Sequence, residues 1–200
     1  MMKWIFVGVS RLVSGARARW VGCEPHPRQR IYFANHTSHL DTLVLWSALP
    51  PSLRLLTRPV AARDYWGATA PRRYLAERIF NAVLIDRVPA EPLANPVAEM
   101  VQALGDRQSL IIFPEGTRSL TGEPGIFKSG LYYLARERSD VELVPVFMEN
   151  LNRILPKGSI LPVPLLGGVT IGAPIRLDAG EEKTDFLARA REAVLGLRSI

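Results

Sequence analysis

Short apolar runs alternate along this chain with segments whose apolar residues recur every three or four positions. Ile31-Tyr32-Phe33-Ala34 and Leu110-Ile111-Ile112-Phe113 read as buried strands, whereas Thr42 to Leu49 reads as a short apolar helix closed by Pro50-Pro51. The pattern predicts strands at 30–34, 53–57, 82–86, 109–113, 143–147 and 167–172, and helices at 41–49, 71–80, 96–105, 128–138 and 184–198. Asn95-Pro96 marks a helix start with proline at the first helical position, and Thr184 is expected to cap the last helix. Strand and helix in turn predict an α/β fold: a single domain with a largely parallel central sheet flanked by helices and functional residues at strand ends.

The two ends of this pattern differ in character. Trp4, Ile5, Phe6, Val7, Val9, Leu12 and Val13 interleave with Lys3, Arg11, Arg17 and Arg19, as in a basic amphipathic helix lying on a membrane surface. Residues 1–22 are therefore expected to be an N-terminal membrane-association segment, and 23–200 the folded domain, with an N-terminal helix packed on its own domain as the alternative. Met1 to Ser14 lacks the apolar core and cleavage site of a secretory signal. No stretch reaches the roughly 20 consecutive apolar residues of a membrane span. Glu149 to Leu166 mixes prolines and glycines with apolar residues and reads as a surface excursion touching lipid.

Composition narrows the picture. Two hundred residues, 48% of them hydrophobic, suffice for one domain with a real core. The single cysteine, Cys23, excludes an internal disulfide framework and fits a reducing compartment. The net charge of +6 suits an anionic membrane surface. Nucleic acid is not an expected partner, because no aromatic-basic recognition motif or zinc finger accompanies that charge. Seven arginines (54, 58, 63, 72, 73, 78 and 87) face only three acids between Arg54 and Arg87, a bias suited to a solvated face or to the approach of phosphate-bearing ligands.

Two polar blocks interrupt the apolar pattern where chemistry is to be sought: Asn35-His36-Thr37-Ser38-His39-Leu40-Asp41 and, about eighty residues later, Phe113-Pro114-Glu115-Gly116-Thr117-Arg118-Ser119. Histidine titrates near neutral pH and can take a proton from an attacking alcohol. A carboxylate on its other nitrogen fixes the tautomer and stabilises the imidazolium. Five residues apart on one helix, His36 and Asp41 would point about 140° apart. The pair therefore requires His36 on a strand-to-helix turn and Asp41 in the first turns of the helix. In the second block Gly116 permits a tight turn and close ligand approach, and Arg118 offers a planar fork suited to phosphate. Glu115 is expected to orient that arginine or hydrogen-bond an acceptor. A satisfied polar pair and a glycine turn with an exposed ion pair are the bland alternatives. The metalloprotease spacing, a cysteine cluster, a Gly-x-Ser-x-Gly elbow and a P-loop ending are all missing.

Together the two blocks resemble the glycerolipid acyltransferase family, whose members include the 1-acylglycerol-3-phosphate acyltransferases. Ile79 to Arg87 resembles a further family block, an apolar strand ending in an arginine linked to the acceptor phosphate, although Asn81 sits where glycine is common. Leu143-Val144-Pro145-Val146 resembles the strand-proline block linked with the acyl-donor side. The resemblance implies catalytic His36 and Asp41, with Arg87, Glu115, Gly116, Thr117 and Arg118 binding substrate. It implies no metal and no prosthetic group; an acyl-CoA or acyl-carrier-protein thioester is a co-substrate and a lysophosphatidic acid-like lysophospholipid the acceptor in phospholipid synthesis. The expected location is the cytoplasmic face of the membrane, peripheral or monotopic. Another lysolipid or an amino-acid-derived lipid is the alternative acceptor, and a catalytically idle lipid-binding protein the alternative class. The intact His36–Asp41 pair argues against the latter, since binding alone needs no base.

Overall fold

The computed structural model describes residues 8, 17–38, 41–86, 95–119, 123–149 and 168–199. Arg87, nearly all of the expected N-terminal amphipathic segment before residue 17, and the excursion over 150–167 lie outside the described residues. The described strands are β1 (Arg17–Trp20), β2 (Arg30–Ala34), β3 (Thr57–Ala62), β4 (Val83–Ile85), β5 (Ser109–Ile112), β6 (Glu142–Glu149) and β7 (Gly168–Ile171). They form one sheet of order β1-β7-β6-β2-β5-β3-β4, parallel throughout except for the β6–β7 pair. Helices α1 (Asp41–Ala48), α2 (Pro51–Leu56), α3 (Arg63–Trp66), α4 (Ala70–Tyr74), α5 (Pro96–Leu104), α6 (Gly130–Glu137) and α7 (Lys183–Leu195) surround it. The α/β class with a largely parallel sheet is as the alternation predicts.

The central strands are buried on both faces, and side-chain alternation divides them between two cores. Tyr32, Ala34, Ile111, Val144 and Val146 pack with Val44, Leu45, Trp46 and Leu49 of the α1 region. Ile31, Phe33, Leu110, Ile112 and Leu143 pack on the other face with Met100 and Leu104 of α5, Leu131 and Leu134 of α6, and Phe186, Ala190 and Val194 of α7. A sheet covered on both faces leaves the ends of its strands as the exposed places where polar side chains can meet a ligand.

Several boundaries differ from the periodicity. Arg17–Trp20 is a strand paired in parallel with β7, so the domain begins before residue 23. Its Arg-Ala-Arg-Trp order has period two: Arg19 is exposed, whereas Ala18 and Trp20 pack on the core. The strand expected at 53–57 is instead α2 followed by β3. Pro51 starts that helix at its first position. Arg54, buried within it, donates to the carbonyls of Trp46, Ser47 and Leu49 and satisfies the end of α1. The helix expected over 71–80 is α4 continuing into a π-helical turn, Leu75–Ile79. Asn95 caps α5 as expected, accepting from the amides of Val97 and Ala98. Thr184 does not cap α7, which starts one residue earlier with Glu182 at its cap. The turn before it is set by Gly180 at φ +77° and by Glu181, whose carboxylate is tied to Arg189.

Candidate active site

β2 and β5 are adjacent and parallel, so their C-terminal ends lie side by side. The first polar block leaves β2 there and the second leaves β5. Asn35 fastens the exit of β2: its buried amide donates to Met148 O (2.9 Å) and accepts from Met148 N–H (2.7 Å) on β6. His36 follows on the turn, and Asp41 is the first residue of α1. The strand-to-helix arrangement that the spacing requires is therefore present.

His36 Nδ1 stands 2.8 Å from Asp41 Oδ2. The same oxygen accepts from the amides of Thr37 (2.6 Å) and Ser38 (2.8 Å). Asp41 thus closes the turn on itself and grips the ring that the turn carries. As an acceptor it holds the ring proton on Nδ1, which leaves Nε2 to receive a proton from a substrate. The carboxylate is fully buried, whereas the His36 side chain retains 21% exposure. Phe113, at the end of β5, stacks on the imidazole with centroids 4.3 Å apart and planes 24° from parallel. A hydrogen bond on one edge and a ring on one face fix the histidine in two dimensions.

Glu115 is placed differently from the expectation. It is buried, and its two oxygens accept backbone amides, Oε1 from His36 N–H (2.8 Å) and Oε2 from Gly125 N–H (2.9 Å). Burial pushes its carboxyl above the usual carboxylate range, opposed chiefly by these two amide bonds. Neither bond involves Arg118. Glu115 is the strut joining the two polar blocks, helped by Ser119 N–H donating to His36 O at 2.7 Å. Replacing it with Gln keeps the shape but sets an NH2 donor against one of two backbone donors. That variant is expected to lose about 1–3 kcal/mol of stability and to melt earlier than the parent, as calorimetry would show; an unchanged melt would remove the strut.

Gly116 takes φ +67°, the left-handed region expected of a glycine turn, and its N–H returns to Phe113 O at 3.0 Å. Thr117 is exposed and Arg118 half-buried. Arg118 has no carboxylate partner among the described residues, so the exposed ion pair is not formed here. One contributor escaped the sequence analysis: Phe113 was quoted in an apolar run and in the second block but given no role. Lys128, assigned to a helix, lies before it, since that helix begins at Gly130. Among the described residues no group of three or more His, Cys, Asp or Glu side chains is placed to hold a metal, and no helix is long and apolar enough to cross a membrane.

A doubly covered α/β sheet with a histidine–carboxylate pair and an arginine-bearing glycine turn at neighbouring strand ends defines the class of fold and site. The sequence model of the family described as Acyltransferase matches residues 19–149, and the chain belongs to that family. It is 28% identical to a 1-acyl-sn-glycerol-3-phosphate acyltransferase of Cocos nucifera, over 86% of this chain and 56% of the relative. It is 30% identical to 1-acyl-sn-glycerol-3-phosphate acyltransferase alpha of Homo sapiens, over 68% of this chain and 47% of the relative. The chain thus spans about half the length of these curated relatives. The crystal structure of the 1-acyl-sn-glycerophosphate (LPA) acyltransferase PlsC from Thermotoga maritima superposes with a TM-score of 0.73, covering 98% of this chain and 80% of that one. At 20% identity this likeness concerns the fold.

Proposed function

We propose that this protein is an O-acyltransferase that moves a fatty acyl group from a thioester to the free hydroxyl of a lysophosphatidic acid-like acceptor. The observation that carries the reading is the 2.8 Å His36–Asp41 contact fastened by Glu115 to the Gly116–Arg118 turn. The names of the relatives support the acceptor class. In the proposed step His36 Nε2 takes the acceptor's hydroxyl proton as its oxygen attacks the thioester carbonyl. The tetrahedral intermediate collapses, the C–S bond breaks, and the proton on Nε2 passes to the departing thiolate. Asp41 stabilises the imidazolium meanwhile. Transfer in this reading is direct, from thioester to hydroxyl, with no acyl-enzyme intermediate.

Arg118 holds the acceptor phosphate, with Arg87 contributing; acyl-CoA or acyl carrier protein supplies the thioester. The net charge of +6 supports work at an anionic, cytoplasmic membrane face, with the residues before β1 as the membrane-association segment. The test is mass spectrometry of lipids formed when purified protein meets mixed lysolipids and acyl-CoA. Phosphatidic acid is the expected product; a different acylated lipid would change the acceptor, and no acylated lipid would favour an idle lipid-binding protein.

A further inference from the structure

The segment from Pro124 to Lys128 runs beside the second polar block and is fastened along its length. Glu115 takes the amide of Gly125, and Arg191 of α7 donates to the carbonyls of Pro124 and Gly125. Phe127 is buried and meets Phe33 edge-on. Lys128 N–H then donates to Pro114 O at 2.8 Å, which ties the lysine backbone directly to the glycine turn.

The side chain of Lys128 crosses the bare face of Gly116. A Cβ built on that glycine would lie 2.8 Å from Lys128 Nζ, 2.9 Å from Cε and 3.0 Å from Cδ. A side chain at position 116 would therefore have to displace the lysine. The missing Cβ does more than permit φ +67°: it makes room for an ammonium over the turn, two residues before Arg118.

That ammonium has no carboxylate partner among the described residues. Several cations elsewhere are paired, Arg28 and Arg30 with Glu142, Arg63 with Asp86, Arg138 with Asp140, Arg189 with Glu181 and Arg198 with Glu123, and a free charge is not itself what marks Lys128. The acid nearest in sequence to Gly116 is Glu115, and both its oxygens are committed to backbone amides. An exposed lysine on a solvated surface is ordinary. This one is anchored by its backbone, lies against the turn that Glu115 joins to His36, and has close in sequence an arginine, Arg118, that likewise has no carboxylate partner among the described residues.

We infer that Lys128 is a binding residue, and that with Arg118 it holds a phosphate monoester dianion over Gly116. The inference rests on the acyltransferase reading and extends it. Two ligands of that reaction carry a phosphate monoester: a lysophosphatidic acid-like acceptor and the ribose 3′-phosphate of coenzyme A. A compact ammonium contributes charge and Arg118 the planar fork, so together they fit a tetrahedral anion better than either alone.

Lys128→Gln keeps most of the stem and removes the charge. Steady-state kinetics with each substrate varied in turn should show a Michaelis constant raised about tenfold, with the effect on KM rather than kcat and partial recovery in Lys128→Arg. A rise for lysophosphatidic acid assigns the acceptor phosphate, and a rise for acyl-CoA assigns the coenzyme. Both constants unchanged in a folded variant would overturn the inference. A binding arm needs no turnover: glycerol 3-phosphate and adenosine 3′,5′-bisphosphate serve as probes in thermal melts. One of them should stabilise the parent and lose most of that effect in Lys128→Gln. Equal stabilisation of both proteins, or none of the parent, overturns the phosphate site. A Lys128-dependent shift in a parent that acylates no lysolipid leaves the site standing and removes the acyltransferase reading instead.

Discussion

The His36→Ala variant is expected to lose acyl transfer by about two to four orders of magnitude, the usual contribution of a general base, while remaining folded. The fold should tolerate the change because the structural duties of position 36 belong to its backbone. Its N–H donates to Glu115 and its carbonyl accepts from Ser119 whatever the side chain. The losses are the stack on Phe113, about 0.5–1.5 kcal/mol for a close aromatic pair, and one hydrogen bond to Asp41. Transfer measured beside a thermal melt separates the two effects. Turnover near that of the parent in a folded variant would sink the mechanism, since no other described side chain is set to take the hydroxyl proton.

Two buried carboxylates bracket that histidine and divide the labour. Asp41 holds the imidazole from the helix side, and Glu115 holds the backbone amide of the same residue from the β5 side. One sets the direction of the ring and the other sets the position of the residue relative to the cationic turn. Neither strand end alone makes the site. The parallel pairing of β2 with β5 brings the two blocks together, and the buried contacts of Asn35 with β6 keep the β2 exit from moving.

How far this was legible in the sequence depends on where each residue's partner lies. β2 and β5 are continuous apolar runs with polar blocks after them, and burial on both faces of a parallel sheet produces that pattern. His36 and Asp41 are five residues apart, so spacing alone dictates the turn that joins them. Glu115 was read against Arg118 because an acid near an arginine in sequence suggests an ion pair. Its partners are backbone amides, one of them 79 residues away, and a backbone amide leaves no mark in the sequence. Arg17–Trp20 was taken as part of an amphipathic helix because its two arginines extend the basic pattern upstream; only pairing with β7 turns that alternation into a strand. Leu53 and Leu55 suggested a strand, yet Arg54 between them is needed inward to satisfy the end of α1. Lys128 was missed for a related reason: its role arises from the empty face of Gly116, twelve residues upstream, which no local pattern reports.

Asp41→Asn and Asp41→Ala should part company, and their difference tests whether the aspartate acts through its shape or its charge. Oδ2 carries all three observed bonds, from His36 Nδ1 and from the amides of Thr37 and Ser38. An asparagine can put its carbonyl oxygen in that place, so the turn and the ring's tautomer should survive. Its NH2 would then occupy the position of Oδ1, which is buried and without a partner, so a modest loss of stability is expected as well. The negative charge that stabilises the imidazolium is removed in either variant. Transfer by Asp41→Asn should therefore fall by about two to four orders of magnitude, chiefly in kcat, with only a modest change in melting temperature. Asp41→Ala also strands two turn amides, at about 1–3 kcal/mol each where they are buried, and should melt clearly lower. Amide hydrogen exchange at Thr37 and Ser38 would report the turn directly: protected in the parent and in Asp41→Asn, open in Asp41→Ala. If Asp41→Asn keeps near-parental kcat, the charge is dispensable and Asp41 is a turn-closing residue alone. If it opens the turn as Asp41→Ala does, its loss of activity reports a misplaced histidine and no longer measures the charge.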